Sequence, residues 1–398
     1  MKFLLCHNFY QQFGGEDQSF FDDVSLLRSR GHEVVEFTRH NDAIEGANRV
    51  RIAIGTLWNS AVYRELRALI RRERPDIVHC TNIFPLISPA AYQAASDEGV
   101  PVVQALGNYR LLCPGATLLR DGAVCETCLS KSFAWPAVQH ACYRGSRLGS
   151  AVIATMNAAH KLKGTWQRVD RYYAPTQIAR DVFIRSGMPA DRIDVRPYMV
   201  NPDLGPGQGK GGYVLFVGRL SPEKGITTLI NAWAEIEENI PLRIIGDGPC
   251  RDEVRAAAAK DPRITSMGYL PLEKVYEQLH DATCLVMPSV WYETFGRTIV
   301  EAYAAGTPVV ASRLGAMQEL VVHRETGMQF EPGSPTALAR AVTELCRRSD
   351  LADMRARVRS EFDEKFTSEQ NYQQLIRICE RAMGHGSRTA NVEAPCSV

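Results

Sequence analysis

The chain has 398 residues, 45% of them hydrophobic, and a formal net charge of +1. That length exceeds one ordinary core and predicts two domains, while the near-neutral balance excludes a protein built chiefly to grip nucleic acid. No apolar run reaches the length of a membrane span, and 11 cysteines, an odd number in a large chain, point to thiols or metal ligands in a cytoplasmic protein more than to a disulfide frame.

Residues 2–9 alternate like a buried strand, and Gly14-Gly15 then precedes a helical run over 19–30 and a second strand over 33–38. Strand, glycine loop, helix, strand is the opening of a doubly wound nucleotide-binding domain. The glycine pair lacks dinucleotide spacing, which argues against NAD or FAD. It lets backbone approach a phosphate, or it marks a plain turn. The stretch 57–74 carries Arg64, Arg67, Arg71, Arg72 and Arg74 beside Leu66, Leu69 and Ile70. Such a basic amphipathic helix can lie on an anionic membrane, or can be an ordinary solvated helix. Strands follow at 77–80 and 100–106, the second running into Gly107 and Asn108.

Cys113, Cys125, Cys128 and Cys142 come next, spaced C-x11-C-x2-C-x13-C. Two thiolates of the CETC knuckle can share an ion, and two distant cysteines can complete a tetrahedral structural zinc site. A redox pair and four separate thiols are the other readings. Strands over 169–174 and 193–196 flank a helix over 177–187, and the glycine and proline run 201–212 cannot hold regular structure. The expected layout is therefore a first domain over 1–204, with the cysteine insertion at 108–147, then a linker over 205–212 and a second domain over 213–366.

A strand at 213–217 leads into Gly218-Arg219-Leu220-Ser221-Pro222-Glu223-Lys224-Gly225 and a helix over 226–237. Arg219 as a fork and Lys224 as a point charge can converge on one anion. The strand 242–245 ends at Gly246, where a nucleobase or ribose could approach the backbone, and Tyr269 after the strand 263–267 is placed to wall the base or simply to pack. A strand at 282–287 precedes Glu293-Thr294-Phe295-Gly296 and a helix over 298–305, stopped by Gly306-Thr307-Pro308. The helix start suits phosphate. Glu293 on the loop and Glu301, about two turns into the helix, are suited to accept hydrogen bonds from sugar hydroxyls, unless Glu293 caps the helix and Glu301 faces solvent. Helices are expected over 336–348 and 351–383, with 367–383 returning to the first domain and a disordered tail over 384–398.

Residues 293–312, ETFGRTIVEAYAAGTPVVAS, followed by GAMQELV and preceded by GRLSPEKG at 218–225, resemble the signature of retaining glycosyltransferases of family four. The resemblance implies the GT-B fold, two doubly wound Rossmann-like domains facing a central cleft, and transfer of a sugar from a nucleotide-diphosphate sugar without a catalytic metal ion. It puts Gly14 and Gly15 against the donor diphosphate, Arg219 and Lys224 on its charge, Glu293 on sugar hydroxyls, Thr294, Phe295 and Gly296 along the donor, and Glu301 on the ribose. Gly315 and Glu319 complete the pattern. Gly107 stands where many members have a histidine near the sugar. NYRLLC at 108–113 and CYRGSR at 142–147 resemble a subgroup with a four-cysteine insertion. The family theme implies a saccharide or lipid-linked acceptor in surface polysaccharide assembly. The rival readings are a sugar phosphorylase or hydrolysing epimerase on the same fold, and a catalytically silent donor-binding partner.

Overall fold

The structure, a computed structural model, describes residues 1–203 and 205–390, with side chains to residue 384. It divides into two compact units, the first made of 1–117, 126–197 and the chain from 371, the second of 118–125 and 198–370.

In the first unit six strands form one parallel sheet. They are β1 (Lys2–Phe9), β2 (Glu33–His40), β3 (Ile77–Asn82), β4 (Val102–Ala105) and, after a small antiparallel hairpin of β5 (Leu119–Arg120) and β6 (Ala123–Val124), β7 (Arg171–Ala174) and β8 (Ile193–Val195). The sheet order is β2-β1-β3-β4-β7-β8. All six residues of β3 and all four of β4 are buried, as strands covered on both faces must be. The helix after β1 starts at Gly15 rather than at 19, because Asp17 accepts from the Gly14 N–H at 2.9 Å and completes the N-terminal cap.

The second unit repeats the scheme with β9 (Val214–Val217), β10 (Leu242–Ile245), β11 (Ile264–Gly268), β12 (Cys284–Met287), β13 (Val309–Ser312) and β14 (Gly327–Phe330). Its order, β11-β10-β9-β12-β13-β14, is parallel throughout. Counted within the unit this is 3-2-1-4-5-6, the Rossmann order, whose switch point lies between β9 and β12. Leu215, Leu285, Val300 and Trp233 belong to one continuous core there.

Three expectations need correction. Residues 205–212 belong to the second unit instead of linking the two: the Gly207 N–H donates to Ala305 O at 2.9 Å and the Gly211 N–H to Asp281 O at 2.8 Å. A Cβ on Gly207 would sit 2.3 Å from His280 Cα, so the glycines serve close packing there. Leu204, the expected domain end, lies outside the described residues. The stretch 57–74 is not one helix. One helix ends at Leu57 and another, Ser60–Glu73, starts behind Asn59, whose side chain accepts from the Val62 N–H. Arg67 and Arg71 bind the two oxygens of Glu98 at 2.5 and 2.8 Å, and Arg72 pairs with Glu73, so the arginines meant for lipid are largely spent on neighbouring carboxylates. At the end of the chain the helix Ser368–Ala390 runs past 384; the rest of the expected tail, 391–398, lies outside the described residues.

A buried polar network holds the first unit together where the chain leaves and re-enters it. Arg196, fully enclosed, binds both oxygens of Asp23, and Asn371 accepts from Arg196 at 2.5 Å and donates to Pro197 O at 2.5 Å. Arg196 also donates to the Tyr173 hydroxyl at 3.0 Å, and that hydroxyl is hydrogen-bonded to His79 Nε2, 2.9 Å away. Burial pushes the His79 imidazole down to about 4, with Asp23 opposing and Arg196 reinforcing the shift. Because the folded value lies below the unfolded one of about 6.5, the unfolded chain takes up a proton that the folded chain refuses as pH falls through that window. Urea unfolding should therefore show up to about 3 kcal/mol of stability lost between pH 6.5 and 4, and His79→Gln, which keeps a hydrogen-bond partner for Tyr173, should remove that part of the slope.

Candidate functional site

The loops at the carboxyl ends of β9 and β12 flank the switch point of the second sheet, where open α/β sheets bind ligands. The Val290 N–H donates to Glu223 O at 2.9 Å and ties one loop to the other. They touch most closely at Gly225, where φ is +74° and an added Cβ would lie 2.0 Å from Pro288 O. Only glycine fits. Gly246, expected to admit a base, is used differently: its φ is +144° and its missing Cβ would fall 1.9 Å from Gly218 O, so the loop after β10 rests on the loop after β9.

Glu293 lies at the centre of this arrangement with 6% of its surface exposed. One carboxylate oxygen, Oε1, accepts from Lys224 Nζ at 2.5 Å, Ser289 Oγ at 2.9 Å and Trp291 Nε1 at 2.9 Å. Lys224 also stands 5.5 Å from the Trp291 ring centroid. Three donors thus gather on Oε1. Gly315 places the backbone of Glu293: its φ is +53°, an added Cβ would lie 3.2 Å from Glu293 N and O, and the Ala316 N–H donates to Glu293 O at 3.2 Å. Glu319 is exposed on the short helix that follows.

The structure thus joins Lys224 to Glu293, two residues expected to serve opposite ends of a ligand. Arg219 is exposed on the same loop as Lys224. Thr294 and Gly296 lie on the turn into the helix Arg297–Ala304, with Gly296 at φ +86°. The Phe295 side chain belongs to the core, 2% exposed and edge-on to Tyr198 at 4.9 Å, so only its backbone can face a ligand. Glu301 sits little more than one turn into the helix rather than two, and its Oε1 accepts from Arg297 Nε at 2.9 Å. Tyr269 is 79% exposed and packs into no wall. Gly14 and Gly15 lie in the first unit, and a Cβ on Gly15 would meet nothing within 4 Å.

Ser289 and Trp291 escape sequence reasoning, although they precede Glu293 by four and two positions in the same loop. So does a cluster in the first unit, where the Tyr10 hydroxyl donates to Glu16 at 2.5 Å and Asn108 Nδ2 to both Glu16 oxygens at 3.0 and 2.9 Å. Burial, and then the Glu16 charge, hold the Tyr10 phenol well above its ordinary range. For the cysteines, Gly115 has Cys113 Sγ and Cys142 Cβ within 3.7 and 3.6 Å of where its own Cβ would stand, and Cys128 packs in an apolar cluster that Cys142 joins. Among the described residues no three His, Cys, Asp or Glu side chains are grouped to hold an ion. A structural zinc needs four ligands, so the tetrahedral set expected of Cys113, Cys125, Cys128 and Cys142 is not what the described residues present.

Comparison with known proteins agrees with this geometry. Residues 211–348 match the family described as "Glycosyl transferases group 1" and residues 14–199 the "Glycosyl transferase 4-like domain". A glycogen synthase of Mycobacterium tuberculosis is 34% identical over 187 residues, 45% of this chain and 43% of that protein. A phosphatidyl-myo-inositol mannosyltransferase of Mycobacterium leprae is 29% identical over 212 residues, 52% of this chain and 55% of that one. The chain spans about half the length of these curated relatives. Among solved structures, HepE of Anabaena in complex with UDP superposes with a TM-score of 0.67 at 18% identity, covering 96% of this chain and all of that one. The fold is GT-B.

Both the strained φ and the clash with Pro288 at Gly225 are testable. Gly225→Ala should lower unfolding free energy by about 2–3 kcal/mol, measured by urea titration; a change within about 0.5 kcal/mol, as at an ordinary surface position, would contradict the close approach of the two loops.

Proposed function

The chain belongs to the group 1, family-4-like glycosyltransferases, and from that premise we propose that it is a retaining transferase. It moves a sugar from a nucleotide-diphosphate sugar to a saccharide or lipid-linked acceptor. The observation that carries the proposal is the Lys224–Glu293 contact at the switch point. An ammonium that neutralises a buried carboxylate is placed to exchange it for a diphosphate, and the carboxylate so released is placed to accept from hydroxyls of the attached sugar.

Departure of a nucleoside diphosphate needs its growing charge stabilised while the anomeric carbon becomes oxocarbenium-like. Arg219 and Lys224 supply fixed cations, and the N–H groups at the start of the helix Arg297–Ala304 supply the positive end of a dipole. Glu293, held on Oε1 by Ser289 and Trp291, presents Oε2 to the sugar. Glu301 takes the ribose. The leaving phosphate itself helps receive the acceptor's proton as the new bond forms on the face it vacates, which preserves the anomeric configuration. These roles rest on the motif resemblance together with the contacts described, and the acceptor class on the family theme. The mannosyltransferase relative acts, by its name, on a phosphatidyl-inositol.

Arg219→Ala should reduce kcat/KM by roughly 30- to 1,000-fold, the value of about 2–4 kcal/mol of lost transition-state stabilisation, assayed with the nucleotide sugar that most raises the melting temperature. Wild-type turnover would remove Arg219 from the mechanism. Sugar released by water or phosphate with no acceptor present would favour a hydrolase or phosphorylase on the same fold. Gly15→Ala should fold normally, since nothing fills the space beside Gly15, yet bind the nucleotide diphosphate more weakly; unchanged affinity would make Gly14-Gly15 a plain turn.

A further inference from the structure

From Thr127 to Val169 the sequence has no acidic residue, yet it carries Lys131, Arg144, Arg147, Lys161, Lys163 and Arg168. Part of this stretch walls a cavity of about 510 Å³ within the first unit, and no residue assigned to the donor is among its lining. That volume falls in the range of small-molecule sites and is far larger than the voids a packed interior tolerates. Its floor is apolar, with Leu111, Leu129, Ala158, Trp166 and Met188. Lys131 and Lys161 line it and are exposed, so two ammonium groups stand where the lining meets solvent. Neither lysine has an ion-pair partner among the described residues. Arg192 also lines the cavity but spends one guanidinium nitrogen on Gln167 O at 3.0 Å, and Asp191 is the one carboxylate in the lining. Ser132, Gln167, Ser186 and Asn157 add uncharged polar groups to the lining. Asn157 Nδ2 donates to Arg110 O at 2.8 Å, while its Oδ1 is buried without a hydrogen-bond partner, a state that buried polar atoms rarely keep. Asn157 and Lys161 are four residues apart on the helix Arg147–Leu162 and share one face.

An apolar chamber with two unpaired cations at its mouth and an orphan acceptor on its wall specifies its ligand. We propose that this cavity binds an anionic amphiphile, an alkyl or prenyl chain ending in a phosphate monoester. The chain lies on the apolar floor and the phosphate meets Lys131 and Lys161. A carboxylate head would only accept hydrogen bonds, whereas a phosphate monoanion keeps an O–H that can donate to Asn157 Oδ1. The site shares no lining residue with the donor loops and does not depend on the reaction assigned to them.

The test is calorimetric titration of the full chain with three probes below their micelle-forming concentrations: decyl phosphate, inorganic phosphate and the neutral decyl glucoside. Decyl phosphate should bind at one site per chain, with each partial probe weaker by about tenfold or more, as loss of the chain or of charge-assisted hydrogen bonds implies. The exposed double change Lys131→Gln, Lys161→Gln should weaken decyl phosphate by about tenfold or more and leave decyl glucoside unchanged. Ala158→Phe, which fills the chamber, should abolish binding of both chain-bearing probes. Decyl phosphate that binds no tighter than decyl glucoside, or that is indifferent to the two lysines, would overturn the proposal, as would no binding at all. Co-sedimentation with phosphatidylcholine vesicles containing phosphatidic acid, lost in the lysine variant, would assign the head group to a bilayer lipid. Decyl phosphate binding without co-sedimentation would assign it to a dispersed amphiphile.

Discussion

Glu293 is nearly buried, and a carboxylate out of water has to be paired or hydrogen-bonded to remain charged. Here Lys224, Ser289 and Trp291 all donate to the same oxygen. The cost of enclosing the charge is met on one side of the carboxylate. Truncating either partner of such a pair strands the other, which costs several kcal/mol in enclosed settings; the contact is therefore a structural need of the free protein as well as a functional device. When a diphosphate arrives, Lys224 can change partner from one anion to another with little change in its own solvation.

The pair exists because of the sheet. The order β11-β10-β9-β12-β13-β14 makes β9 and β12 neighbours although β10 and β11 separate them in the chain. Residues 224 and 293, 69 positions apart, thus emerge side by side at the carboxyl edge. The loops then approach more closely than any side chain permits, and glycine is found at each crowded point: Gly225 against Pro288, Gly246 against Gly218, Gly315 against Glu293. Three positive-φ glycines bring four loops onto one another, and rigidity at the site follows from the absence of Cβ atoms. The helix start beyond Gly296 is fixed from beneath by Phe295 and its packing on Tyr198.

Much of this was legible in the sequence, for reasons that differ from residue to residue. Apolar alternation located β1, β9, β10 and β12 to within two residues at either end, because a fully covered parallel strand leaves a plain apolar run. The motifs GRLSPEKG and ETFG mark two loops that meet in the structure through Lys224 and Glu293, since charge and local spacing are visible in a sequence. What the sequence hid were contacts set by tertiary approach. The sequence carries no sign that Gly246 packs on Gly218 O, or that Tyr198 covers the Phe295 ring. The glycine-rich 205–212 reads as a tether because composition cannot tell a flexible chain from one pressed against backbone. Arg67 and Arg71 read as part of a free cationic face because Glu98, their partner, is some thirty residues downstream.

The account turns on where a diphosphate settles, and crystals soaked with the nucleoside diphosphate that most raises the melting temperature would show it. It predicts density for the β-phosphate between Arg219, Lys224 and the backbone N–H groups at Phe295 and Gly296, with Lys224 drawn off Glu293 Oε1 and Ser289 and Trp291 still in place. A diphosphate bound anywhere else, with the Lys224–Glu293 contact intact, would contradict it.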